Sequence, residues 1–334
     1  SQKLQAHTFT SSTCAHLHWF KCQASVMYVV GTVVASLVFF LILKWMKRRR
    51  VCMDVKRLDG KTVLVTGGNS GIGKETAIAL AARGARVIIA CRDVQKAEVA
   101  VREIKTRSRS LNVSYMELDL ANLQSVREFC QTFLQKEQRL DVLINNAGMP
   151  SVLGWTDDRF SMCFGVNHLG HFLLTSLLLN RLKECAPSRV ITLTSSVYKY
   201  QKLDFQDLNY NVIPFFTFCR SKLANIYFTQ ELSRLMEGKG VTAYAVHPGF
   251  VQSNWTCHFS ILFRIVMQVI MYMFFVSCEV GAQTVIYCAV SDDVLQYSGS
   301  FFSDCQPTPL RPFARDAGVA KKLWEASERM VKLP

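Results

Sequence analysis

The stretch Lys61–Gly84, KTVLVTGGNSGIGKETAIALAARG, is where the fold is most legible. It opens on apolar, β-branched residues with no polar alternation, the pattern of a strand buried on both faces between helix layers. A turn containing Gly67, Gly71 and Gly73 follows, and then a helical run opening near Ile72. Glycines are needed in such a turn because the backbone must bend sharply and approach a pyrophosphate, whose charge then rests on the helix N-terminus. A purely structural strand-to-helix turn also uses glycine, but a strand before it and a helix after it favour phosphate binding. Further along, RVIIACRD, DVLINNAG and RVITLTSS repeat the run-then-turn pattern between helical segments. The expected fold is α/β: a doubly wound parallel sheet in a single domain.

The chain has 334 residues, half of them apolar, enough for one large domain with appendages. Its 12 cysteines are scattered, without a C-x-x-C pair, which suits reduced thiols facing the cytosol and argues against a metal site. Residues 1–23 show no periodicity and are left unassigned, and Met27 is the expected natural start. Residues 24–43, ASVMYVVGTVVASLVFFLIL, carry no charge over 20 positions, the length of a membrane-crossing helix. A cleaved signal peptide would place basic residues before the apolar run rather than after it. A buried core helix is the plainer alternative, and the flanking cluster KWMKRRR, Lys44–Arg50, weighs against it. That cluster directs the folded part to the cytosolic side of its membrane, expected to be the endoplasmic reticulum. The net charge of +14 is concentrated there: between Lys44 and Lys61 eight Lys/Arg oppose two Asp. A basic juxtamembrane linker, residues 44–60, on anionic lipid explains the placement, and without interleaved stacking aromatics nucleic acid is not an expected partner.

The glycine turn is spaced T-G-x-x-x-G-x-G, and at this point the chain resembles the classical short-chain dehydrogenase/reductase family, from about Lys61 to Leu323. The resemblance rests on ordered motifs: TGGNSGIG with Gly67, Asn69, Ser70, Gly71, Ile72 and Gly73; LDL with Asp119; NNAG with Asn145, Ala147 and Gly148; Asn167 in VNHLGHF; TSS at Thr194–Ser196; SK at Ser221–Lys222; and HPG with Pro248 and Gly249. The longer strings NHLGHFLLTSLLL, SKLANIYFTQEL and LWEAS look like its retinol dehydrogenase branch. The resemblance implies a Rossmann-type fold, a nicotinamide cofactor, hydride transfer and a domain over residues 61–334. At the end of the second strand an acidic residue would suit a free ribose 2′-hydroxyl and an arginine a 2′-phosphate. The sequence there is ACRD, so Arg92 favours NADP(H), with Asp93 behind it as the opposing feature. Asp119 matches the family's adenine contact and reads equally well as the N-cap of the helix in LANLQSVREF.

In this family a tyrosine delivers the proton, a lysine four residues on lowers its pKa and holds the nicotinamide ribose, a serine polarises the carbonyl, and an asparagine completes a proton relay. The i, i+4 spacing puts tyrosine and lysine on one helix face. The resemblance assigns Asn167, in a helix beginning near Arg159, Ser196 with Ser195 as the one-residue alternative, and Lys222. The tyrosine position is Phe218, which keeps the ring and lacks the hydroxyl. Four explanations stand: a different donor (Tyr198, Tyr200, Tyr210 or a water), a cofactor-binding protein without turnover, an error in the sequence, or a shifted register, which SKLAN opposes.

Past HPG the family's substrate lid begins, and Ser253 stands where a hydroxyl meets the nicotinamide carboxamide or simply completes a loop. Within the lid, near residues 254–278, FSILFRIVMQVIMYMFFVSC is apolar nearly all round. It reads as a helix dipping into the bilayer interface or as a core helix. An apolar lid beside a membrane anchor points to a lipid-soluble substrate: a retinaldehyde, an isoprenoid aldehyde or a steroid ketone. Two long helices, near Arg159–Leu182 and Phe216–Leu235, are the expected face of a homodimer.

Overall fold

The structure is a computed structural model that describes residues 28, 30–40, 42, 50–252 and 275–333. Two compact units are present, Ser1–Arg48 and Arg49–Pro334. In the first, helix α1 (Val30–Phe40) turns apolar side chains outward, Phe39 and Phe40 each more than half exposed. The remainder of the expected 24–43 span, apart from Tyr28 and Ile42, and the unassigned residues 1–23 lie outside the described residues.

In the second unit, strands β1 (Thr62–Thr66), β2 (Arg86–Cys91), β3 (Val113–Glu117), β4 (Val142–Asn145), β5 (Ser188–Leu193), β6 (Val241–His247), β7 (Phe301–Ser303) and β8 (Gln306–Pro307) form one sheet. Its order is β3-β2-β1-β4-β5-β6-β7-β8. All pairings are parallel except β7 with β8. Strand β1 is buried at every position: Leu64 joins the core on one face, Val63 and Val65 the core on the other. This two-sided burial is why the strand shows no polar alternation.

The helices after α1 are α2 (Gly71–Ala82), α3 (Val94–Ser108), α4 (Leu123–Lys136), α5 (Met162–Glu184), α6 (Pro214–Leu235), α7 (Cys278–Val290) and α8 (Ala317–Met330). Helices α4, α5, α6 and α8 pack on the Leu64 face, and α2, α3 and α7 on the Val63 face. Chain direction across the sheet reverses between β1 and β4, the switch point at which such sheets open a crevice at their carboxyl edge.

Local chemistry moves three expected boundaries. Helix α5 begins at Met162 instead of near Arg159, because Arg159 has a φ of 62° in the left-handed region and no α-helix runs through it. Helix α6 begins at Pro214, two residues before Phe216, with the proline in the first turn where its missing N–H costs nothing. The cap of α4 is Asn122, whose side chain accepts from Ser125 N at 3.0 Å, and not Asp119. Among the described residues α5 is the one helix long and apolar enough to cross a membrane, and 78% of its apolar window is buried inside the domain, so it is a core helix. Most of the expected lid, and Ser253, lie outside the described residues. The chain returns at residues 275–278, where Gln252 N donates to Val276 O and Val276 N to Phe250 O, each at 2.8 Å, and Ser277 caps α7.

Two buried histidines join α5 to its surroundings. His168 Nε2 lies 2.9 Å from Ser327 Oγ of α8, among the rings of Phe164, Phe172 and Phe228. Burial pushes His168 down to about 3 and His171 down to about 4, from 6.5. Since the folded state refuses protons that the unfolded chain accepts, stability is whole above pH 6.5 and falls as the pH drops from there toward those values. Urea unfolding across that range is expected to lose up to about 1.4 kcal/mol per pH unit for each histidine, and His168→Asn to remove one histidine's share of the slope.

Candidate active site

A cleft of about 1060 Å³ opens along the carboxyl ends of β1 to β6, at the upper end of the roughly 300–1,000 Å³ usual for small-molecule sites. Its floor is the turn after β1. Gly67 and Gly71 have φ of 64° and 57°, which glycine adopts without penalty. Gly73 is required by packing: a Cβ there would lie 2.4 Å from Asn146 Nδ2 and 2.6 Å from Gly67 O. Gly67, Asn69, Ser70, Gly71 and Ile72 line the cleft, and Gly73 stands behind them. Ser70 is the N-cap of α2 but its side chain caps nothing. The first-turn N–H groups of α2 therefore keep no partner within the helix. A glycine-rich turn at the positive end of a helix fits a dinucleotide pyrophosphate.

One hydroxyl holds this floor to its neighbour. Thr66 Oγ1 accepts from Asn146 N at 2.9 Å and Ala147 N at 3.0 Å, and pairs with His171 Nε2 at 2.8 Å. His171 Nδ1 lies 3.1 Å from Asn167 O, a carbonyl that only accepts. Nδ1 thus carries the proton, Nε2 accepts from Thr66, and the neutral imidazole agrees with the depressed pKa. In the NNAG motif it is Asn146 that faces the cleft with Ala147 and Gly148. Asn145, expected there, is buried, and its amide donates to Thr175 Oγ1 at 3.0 Å. The cause is strand periodicity: Asn145 is the last residue of β4 and Asn146 the first past it.

At the far end of the cleft stand Arg92, Asp93, Lys96 and Asp119. Asp93 is committed to α3: it accepts from Lys96 N at 3.0 Å and pairs with Lys96 Nζ at 2.7 Å. Arg92 is two-thirds exposed and 4.0 Å from Asp119, so its guanidinium is held by little. Asp119 Oδ1 accepts from Ala121 N at 2.9 Å.

Nearer the centre, Asn167 lies in a π-helical turn, Gly165–Leu169, that interrupts α5. Its side chain does not reach the cleft. Instead Oδ1 accepts from Met149 N at 2.7 Å, while Nδ2 donates to Met149 O at 3.1 Å and to Ser221 Oγ at 2.9 Å. It fastens the loop after β4 over Lys222; a Cβ on Gly148 would stand 3.3 Å from Asn167 Oδ1 and 3.5 Å from Lys222 Nζ. Lys222 Nζ donates to Leu193 O at 3.1 Å, and burial brings the ammonium down to about 8. Phe218 shares its helix face and lines the cleft, with Lys222 Nζ 5.6 Å from its ring centre. Of the two serines it is Ser195 that lines the cleft, and Ser196 does not. The register of β5, which ends at Leu193, places the first serine of the pair inward. Pro248 and Gly249 line the opposite wall.

None of the other tyrosines weighed as donors lines the cleft. Tyr198 is buried, and its hydroxyl accepts from Arg311 N at 3.0 Å. Tyr200 lies against Phe215 at the surface, their rings tilted by 46°, and Tyr210 lies under Arg220. Asn146, Thr66 and Lys96 escaped the sequence reading. The doubled asparagine of NNAG was a signal for the first, and nothing local marks Thr66 as a three-way partner.

The short chain dehydrogenase family model matches residues 61–259. Retinol dehydrogenase 14 of Mus musculus is 48% identical over 295 residues, covering 83% of this chain and 88% of that protein. Retinol dehydrogenase 11 of Homo sapiens is 46% identical, covering 85% and 90%. The crystal structure of an uncharacterized protein from Mycobacterium paratuberculosis superposes with a TM-score of 0.69 at 36% identity, covering 85% of this chain and 98% of that one.

Replacing Thr66 by valine leaves Ala147 N and His171 Nε2 without this partner, and Asn146 N with Ile144 O alone. Thermal or urea unfolding is expected to show a loss of about 1–3 kcal/mol or more, since buried polar groups are stranded.

Proposed function

The chain belongs to the short chain dehydrogenase family, and on that premise we propose that it is an NADP(H)-dependent oxidoreductase acting on an apolar alcohol/carbonyl pair of the retinol/retinal class. The observation that carries this reading is one cleft joining the glycine-rich turn at Gly67–Ile72 to Lys222 and Ser195. The names of the retinol dehydrogenase relatives support the substrate class. So do Phe215, Phe218, Phe250 and Phe275, which make the substrate end of the cleft apolar. The bound nicotinamide would supply or accept the hydride. Lys222 would hold the nicotinamide ribose, Ser195 would hydrogen-bond the substrate oxygen, and Asn167 would position both through Met149 and Ser221. With an ammonium brought to about 8, Lys222 is also suited to hold the proton that the substrate oxygen exchanges through water.

For the cofactor, Arg92 and Lys96 support a 2′-phosphate, and Asp93, at the same end of the cleft, is engaged in capping α3. The outward apolar face of α1, followed by Lys44–Arg50, supports a membrane anchor of the endoplasmic reticulum with the domain in the cytosol. A homodimer paired along α5 and α6 belongs to the same proposal. A second reading, an NADP(H)-binding protein without turnover, is favoured by Phe218 and by the lack of any tyrosine among the described residues lining the cleft.

The two readings separate in a paired measurement on the chain as it is and on Phe218→Tyr. Both forms are expected to bind NADPH, and the tyrosine form to reduce all-trans-retinal about 10²- to 10⁴-fold faster, the usual worth of a general acid. Turnover in the tyrosine form alone establishes the silent reading, equal turnover shows another proton source, and failure of both to bind NADPH defeats the proposal. Arg92→Ala is expected to weaken NADPH binding by about 10- to 100-fold, as loss of a charge-assisted pair does, while leaving NADH binding unchanged; titration of cofactor fluorescence measures both.

A further inference from the structure

Six large exposed apolar side chains share one edge of the catalytic unit, while others, Val55 and Leu111 among them, stand singly elsewhere. Leu153 and Trp155 follow β4, Tyr200, Val212 and Phe215 follow β5, and Phe250 follows β6. All leave the carboxyl ends of the strands, where the cleft opens, and Phe215 and Phe250 belong to its lining as well as to the surface. Some are joined locally: Asn211 Nδ2, beside Val212, donates to Gly154 O, between Leu153 and Trp155, at 3.0 Å, and Tyr200 and Phe215 stand 5.8 Å apart ring to ring, while Phe250 stands 5.5 Å from Phe275. Trp155, Tyr200 and Val212 are 57%, 65% and 68% exposed. Scattered single apolar residues need no explanation, but a grouped set around an apolar mouth does. Trp and Tyr are the side chains that settle where hydrocarbon meets water, and exposed Lys199 beside Tyr200 has the stem length to reach headgroups.

The path of the chain into the domain makes the same edge special. Arg50 N donates to Asp304 Oδ1 at 2.8 Å, and Asp304 is the residue after β7, which runs parallel to β6. The arm beyond it is fastened by Cys52 N to Gln283 Oε1 at 3.1 Å and by Lys56 to Asp292 at 2.6 Å. The basic linker therefore enters the domain at the carboxyl edge of the sheet. Residues 44–49 separate Arg50 from the apolar run, and at most about 3.3–3.6 Å per residue the steps from Leu43 to Arg50 reach roughly 25 Å.

We propose that this edge is a lipid-docking face: the aromatic and apolar rim of Leu153, Trp155, Tyr200, Val212, Phe215 and Phe250 seats on the bilayer that holds the anchor, so that the cleft opens into lipid. The proposal rests on the membrane-anchored reading above. It makes the substrate a molecule partitioned in the bilayer, entering sideways without crossing water. Seating by the rim also fixes the rotation of the domain, which a single anchoring helix leaves free.

The test uses the full chain reconstituted in vesicles of phosphatidylcholine and phosphatidylserine, with photoreactive p-benzoylphenylalanine in place of Trp155 or Phe215 and, on the opposite edge, of Leu111 or Tyr297. These positions are exposed, so folding is spared. Illumination is expected to attach phospholipid at positions 155 and 215, with none above background at 111 and 297. Equal lipid attachment at both edges overturns docking, as does attachment of positions 155 and 215 to a second copy of the chain or to a partner protein. Flotation of the vesicles reports the anchor separately: a chain that floats but gives no lipid adduct at 155 or 215 loses the docking face and keeps its anchor, whereas one that does not float loses both. Neither readout depends on turnover.

Discussion

The oxygen of Thr66 is the point on which the site depends. It lies at the end of β1, where the sheet reverses direction, and ties the loop after β4 to the glycine turn by accepting two backbone N–H groups. Its own proton goes to His171 on α5, whose other nitrogen donates to the carbonyl of Asn167. A serine would offer the same oxygen, but in a strand buried on both faces the β-branched residue also packs. Because Asn146 is drawn so close to Gly67 and Gly73, neither glycine tolerates a side chain there. The open cradle at the start of α2 and the closed loop over Lys222 thus follow from one hydrogen-bonded junction.

At the other end of that junction the chemistry is unusual. Lys222 is held by a backbone carbonyl and by the face of a phenylalanine ring, with burial working against its charge. A phenol at position 218 would give the ammonium a partner that is itself ionisable; a phenyl ring gives only its π-face. Phe218 costs the packing nothing, because ring, helix face and burial are kept. Binding and proton transfer are therefore physically separable at this site: the cradle, the loop held by Asn167 and the lysine are intact while the phenolic proton is missing. The nearest tyrosines cannot move in without undoing other structure, since Tyr198 supports the Arg311 backbone and Tyr210 lies against Arg220.

How much could be read beforehand differs by scale. The order of strands and helices was legible because burial between helix layers forces apolar runs and because glycine, alone among residues, permits the turn after β1. Local rules failed where the backbone departs from regularity. Arg159 looked like the start of α5 until its left-handed φ excluded it, and Asp119 looked like a cap until Asn122 took the bond. Single-residue choices at strand ends were the weakest: Asn145 against Asn146, and Ser196 against Ser195, are decided by the side of the sheet on which a residue falls as the strand stops, and one residue is a full change of side.

The sequence by itself determined the family, the parallel sheet, the glycine turn after β1 and the absence of a hydroxyl at position 218, since each is written in residue types at fixed spacing. Only the tertiary structure decided that Asn167 works from behind the loop, that Asn146 and Ser195 face the cleft, and that Tyr198 is spoken for. It also decided that the exposed aromatics and the incoming basic arm share one edge. The reason is common to all of these: spacing along a chain specifies what an element is, whereas which groups meet depends on contacts between elements far apart in sequence, such as Thr66 with His171 or Arg50 with Asp304.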